Sequence, residues 1–191
     1  MPLDMRHRHS HLLLGYWVGL HKGPLPPHED ELDAAIMRAL LPAICLAEMQ
    51  PDGLPSYRLI GRQLSKRMGN GVIGAPLASF WGAADFAEIQ AHFLESARSH
   101  RPFFYTSVGR DEAGHWHLFE TLWAPIQMDD PQISCFVGVS EPLLEGGASP
   151  VGMIGHEALK GIWLLNERRA LTVAAAKSSN QSSSHLRLVV S

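Results

Sequence analysis

Hydrophobic and polar positions change rhythm several times along this chain, and each change marks an element. Leu12, Leu13, Tyr16, Trp17 and Leu20 recur at helical spacing and make one apolar face, which Gly23 and Pro24 bring to an end. A second helix is predicted after "LPPHEDELD", where Glu29, Asp30, Glu31 and Asp33 gather at the positive end of the helix dipole. Its inner face would be Leu32, Ile36, Met37, Leu40 and Leu41, with Pro42 as the stop. The period then shortens. "AICLAEM" (43–49) is a short apolar run, "QPDGLP" a turn, and "SYRLIG" (56–61) alternates, so the three read as a hairpin. "RQLSKRM" gives about two turns of helix. Helical spacing returns from Asp85 to Ser99, with Phe86, Ile89, Phe93 and Ala97 inward and Asp85 and Glu88 set as a capping box. Three strands follow, "PFFYTSVGR", "HWHLFETLWAPIQ" and "ISCFVGVSEPL", joined by the turns "DEAG" and "MDDPQ" in an antiparallel meander. Beyond Gly146 the rhythm weakens. "HEALKGIWLLNERRALTVAAAK" fits helix or strand, "SSNQSSS" reads as a solvated linker, and "HLRLVVS" as a short apolar end.

One stretch invites a different reading. "GNGVIG" (69–74) matches a dinucleotide-binding fingerprint, whose mechanism needs a strand before the glycines and a helix N-terminus straight after them. Here a helix precedes Gly69, and Ala75 and Pro76 follow Gly74, so the glycines fit a helix C-cap and turn that require positive φ. The nucleotide reading fails on element order.

Composition narrows the picture. The 191 residues suit one ordinary domain with extra segments. Hydrophobic residues make up 46% and charged residues 18%, enough to bury a core. A formal net charge of −3 gives no reason to expect a nucleic acid partner. The basic-then-apolar start lacks a small-residue cleavage site, and no run approaches the ~18 apolar residues a membrane span needs. A cytoplasmic protein with no membrane partner is expected. Cys45 and Cys135 lie in apolar runs without metal-type spacing and read as buried thiols. No nucleophile elbow, zinc-protease helix or phosphate loop is present, so no catalytic residue is assigned and no enzyme is expected. Glu120 and Glu141 read as outer-face acids. "HRHSH" places His7 and His11 on one helical face, where a terminal tail would take up nickel or zinc only adventitiously, so no resident metal is assigned.

Taken in order, these elements resemble a PAS domain, and more particularly a family of small bacterial PAS proteins. The resemblance rests on Trp17 in the opening helix, Leu25-Pro26, and Leu40-Leu41-Pro42 before the first strand. It continues in Tyr57-Arg58-Leu59 and Gly61, then Gly69, Gly74 and Trp81, and covers roughly residues 10 to 143. Arg62 departs from it, standing where a small hydroxyl residue is usual. The resemblance implies an α+β fold: a five-stranded antiparallel sheet with helices on one face, preceded by an amphipathic helix. The divisions expected are 1–42 (N-terminal helical segment), 43–145 (PAS-like domain) and 146–191 (a partly flexible extension).

The resemblance also implies where a ligand would sit, between the sheet and the Asp85 helix. Candidate cofactor-binding residues there are Tyr57, Trp81, His92, Phe93, Phe104 and Trp123, with Leu59 beside them. The same aromatics serve as core packing, which is the more ordinary role of such residues. Neither cysteine sits in the Asn-Cys-Arg motif of flavin-photoadduct PAS domains, and His92 is the candidate for a haem ligand. No cofactor identity follows. The function implied is a stand-alone sensory or regulatory protein that signals in trans by binding another protein, with the N-terminal helix either dimerising or folding back onto its own sheet. A haem or small-molecule sensor is the alternative.

Overall fold

The computed structural model describes residues 5–69, 71–143 and 158–165. Helix α1 (Arg8–Leu20) comes first. Its buried side is Ser10, Leu13, Leu14 and Trp17, while Leu12 is 42% exposed. The apolar stripe is therefore rotated from the expected one, because Leu14 rather than Leu12 completes the i, i+3, i+4 pattern with Leu13 and Trp17. The acidic segment does not start a long helix. His28 caps a single 3-10 turn, Glu29–Glu31, and Asp33 then caps the short helix α2 (Ala34–Leu40), accepting from Ala35 N at 2.6 Å.

The hairpin forms as expected from β1 (Ile44–Met49) and β2 (Pro55–Ile60). Helix α3 (Arg62–Met68) ends on Gly69 at φ 82°, and Gly71 and Gly74 also have positive φ, as the element order requires. Helix α4 (Ala83–Ser99) begins two residues before Asp85, on Gly82, without a side-chain cap; Asp85 lies in the first turn and the expected capping box is absent. The meander is β3 (Phe103–Arg110), β4 (Trp116–Ile126) and β5 (Cys135–Pro142).

Residues open to either helix or strand form a sixth strand, β6 (Ala158–Leu164), paired antiparallel with β3. Its side chains divide as a strand's do. Leu159, Ile162 and Leu164 pack on one side of the sheet, and Trp163 packs on the other, stacked on Phe104 with ring centroids 4.9 Å apart. The sheet order is β2-β1-β5-β4-β3-β6, with every pair antiparallel, so the expected five-stranded sheet gains one strand at an edge. "SSNQSSS" and "HLRLVVS" lie outside the described residues. None of the described helices is long and apolar enough to cross a membrane.

Both faces of the sheet are covered. On one lie α4, α3 and the segment through Trp81, over an aromatic core. On the other lies α1, over Ile44, Leu122, Val137 and Val139. Trp17 is 3% exposed and its indole Nε1 donates to the Pro125 carbonyl at 2.7 Å, which fixes α1 to β4. Burying Leu13, Leu14 and Trp17 contributes roughly 2 kcal/mol each. Of the two expectations for the Trp17 face, the structure has the helix folded onto the chain's own sheet.

Candidate functional site

Period 2 along β3 and β4 sends Phe103, Tyr105 and Trp123 to the α4 side, where Tyr57, Trp81, Phe86 and Phe93 meet them. Phe93 is the hub: its ring centroid lies 4.9 Å from Phe103, 4.9 Å from Phe136 and 5.2 Å from Trp123. Trp81 meets Tyr105 edge to face at 5.5 Å. The indole of Trp123 can lie flat across β5 because its cross-strand partner is Gly138, where an added Cβ would come within 2.5 Å of the ring. The space between sheet and helix is thus occupied by the chain's own rings.

Of the expected ligand-binding residues, Tyr57, Trp81, Phe93 and Trp123 come together. Phe104 does not: it points to the α1 side, because the adjacent aromatics Phe103 and Phe104 must face opposite ways. Leu59 is exposed on the edge strand. His92 sits half-buried at the margin of α4, its Nδ1–H donating to the Glu88 carbonyl at 2.9 Å and its ring 6.0 Å from Phe103. Phe103, Tyr105 and Phe136 are core rings that sequence reasoning missed; the alternation in "FFYTS" carries the first two once its phase is known. Within the cluster Trp123 Nε1 is buried without a hydrogen-bond partner. A cleft of about 320 Å³ lies outside, lined by Ala97, His100, Pro125, Met128 and Ile133, with Phe136 as the wall between it and the rings.

The cysteines are unconnected. Cys45 lies on the aromatic side and Cys135 on the α1 side, and the register pairs Cys45 with Gly138. Burial pushes both thiols up, most strongly Cys45, where the charge of Arg67 acts in the opposite sense. They are inert thiols, not a redox pair.

The α1 side holds the main surprise. Glu120 and Glu141 are cross-strand partners on β4 and β5, at 0% and 5% exposure, not outer-face acids. Glu120 accepts from the backbone N–H of Arg6 at 2.6 Å and of His7 at 3.1 Å. Glu141 is bonded to His9 Nδ1. Both acids fall in phase with the apolar positions Leu122 and Ala124 of β4 and Val137 and Val139 of β5, but the helix that covers them is a tertiary feature. The "HRHSH" tail is likewise no loose end: His7 caps α1, and His11 Nε2 bonds the Met5 carbonyl at 2.7 Å.

A family model described as a PAS domain matches residues 5–140. The chain belongs to the PAS domain family. The chain is also similar, at low identity, to solved structures of PAS and LOV domains. A PAS domain from Colwellia psychrerythraea is 16% identical, TM-score 0.43, over 58% of this chain and 98% of that one. The LOV domain of the Erythrobacter litoralis EL346 blue-light activated histidine kinase is 15% identical, TM-score 0.40, over 53% and 94%. The PAS domain of an HTR-like protein from Haloarcula marismortui is 13% identical, TM-score 0.42, over 58% and 91%. No curated protein matches the chain. A PAS domain is a sensory and signalling fold, so the coarse role of this chain is sensory. Strands β1 to β4 lie within the matched span, β5 runs two residues past its end, and β6 is added beyond it.

Proposed function

We propose that this PAS domain is a regulatory protein that signals in trans by contact with another protein, without a cofactor in its core. The observation that carries this is the ring cluster: Phe93 touches Phe103, Phe136 and Trp123 at once, in the space a PAS ligand would need. A packed interior of this kind leaves a signal to be received and passed at the surface. Self-association through the Trp17 face would require α1 to leave its own sheet. The absorption spectrum of the purified protein tests the reading. Bands of protein alone support it, and a Soret or flavin band overturns it.

A second reading, with a small ligand inside the core, is favoured by one observation, the unpartnered buried Trp123 Nε1. An acceptor atom on a ligand would satisfy that N–H. Entry would require Phe93 or Trp81 to give up its place. A haem on His92 would have to form at the margin of α4, where the ring now packs against Phe103.

A further inference from the structure

The start of α1 brings four chemistry-bearing side chains to one place on the sheet: His7, His9, Glu120 and Glu141. One ring nitrogen from each histidine and one Glu141 oxygen all lie within 4.8 Å of one another. The His7 and His9 rings are 5.0 Å apart and nearly edge to face. His9 Nδ1 already contacts Glu141, and the two side chains are 14% and 7% exposed. We propose that His7, His9 and Glu141 form a binding site for a divalent transition-metal ion of the zinc class, which staples the first turn of α1 to β5.

Three arguments support this, and none depends on what the core of the domain holds. The donor set is right: two imidazoles and a carboxylate are the ligands that borderline divalent ions take, at roughly 2.0–2.2 Å each. Ligands at those distances in a tetrahedron stand roughly 3.3 Å apart, so the three groups need side-chain adjustment but no change of fold. The charge balance also fits. Glu120 and Glu141 are two buried carboxylates side by side across strands, faced by the backbone N–H groups of Arg6 and His7 and by His9. A divalent ion held on Glu141 would place positive charge beside this pair of carboxylates. Finally, the site has a built support. Glu120 holds the backbone at His7 through two N–H bonds and so fixes one ligand's position, as outer carboxylates do around bound metals. On binding, the ion takes the place of the proton between His9 Nδ1 and Glu141, and that proton moves through solvent to His9 Nε2, so that His9 ligates through Nδ1 as a neutral imidazole. A water fills the fourth position.

A second group, His28, Asp30 and Asp129, has similar spacing, but its carboxylates are almost fully solvated. It serves as the internal control. The test uses the full chain without a histidine tag, titrated with Zn²⁺ by calorimetry and with Co²⁺ by visible spectroscopy. The expected result is one equivalent bound, with cobalt bands of low coordination number. His7→Ala, His9→Ala and Glu141→Gln should each weaken binding roughly tenfold or more, while His28→Ala leaves it unchanged. Zinc should also slow amide exchange at Leu13 and Leu14 in the parent chain and not in His7→Ala. His7 caps the helix at a half-buried position, so that variant retains the fold even where Glu141→Gln does not. Binding that survives His7→Ala and His9→Ala, binding that disappears with His28→Ala, or no binding at all would overturn the proposal.

Discussion

The two faces of the sheet are built on different principles. The α4 face is closed by aromatic rings around Phe93, which meets Phe103 and Phe136 edge to face and Trp123 at a tilt. The α1 face is aliphatic in its middle, and at the start of the helix it is polar, with two buried glutamates holding the chain by hydrogen bonds. Ring packing is strong, dry and indifferent to pH. The polar end is conditional, because buried carboxylates stabilise only while their partners remain. On the proposed ligand-free reading, the adjustable part of the domain is the α1 face.

The largest effect should come from breaking the ring cluster. Phe93→Ala removes the hub and should cost about 4 kcal/mol in urea unfolding, while opening a hole that a small aromatic such as benzene fills with a rise in melting temperature. Gly138→Ala attacks the same face by overpacking: the new methyl group would stand 2.5 Å from Trp123 Cε3 and 2.8 Å from the Leu122 carbonyl. About 2 kcal/mol of destabilisation is expected, read by the same unfolding curve. The α1 face should respond differently. Glu120→Ala removes two charge-assisted bonds and should cost about 1–2 kcal/mol, with faster amide exchange confined to the first turns of α1. Equal acceleration in α4 would erase the contrast between the faces.

The smallest effects concern the periphery. Asp111 accepts from His117 Nε2 at 2.8 Å and from His115 N at 2.8 Å, and the His117 bond above all pulls its carboxyl down to about 2. A depressed carboxyl contributes stability that is present above its unfolded pKa of roughly 3.9 and lost as pH falls toward the folded value. Asp111→Asn should therefore lower stability by a constant amount at neutral pH and flatten the acid limb below about pH 4, read by urea unfolding at several pH values. Cys45 and Cys135 should resist alkylation in the native protein and react at once in denaturant, as raised thiols do.

How much of this was written in the sequence depended on whether a local period decided it. The hairpin, α3, α4 and the meander were legible because each carries its own rhythm, and the glycine run at Gly69 was legible because element order excludes a nucleotide loop. The phase of β3 was not, since Phe103 and Phe104 are both aromatic and only the partner layers decide which faces α4. β6 was undecided because its strand state comes from pairing with β3, a long-range event. Tertiary placement also decided α1. The stripe that looked like a dimer surface is buried on the chain's own sheet, and Glu120 and Glu141 are inside only because α1 lies over them.

The central claim is that the aromatic core is full and the domain works without a small molecule inside it. A native mass spectrum of the freshly purified full chain, sprayed gently enough to keep non-covalent ligands, tests it most directly. The account predicts the mass of the polypeptide, or of whole multiples of it, with any adduct no heavier than a metal ion. A stoichiometric organic adduct lost on unfolding would contradict it.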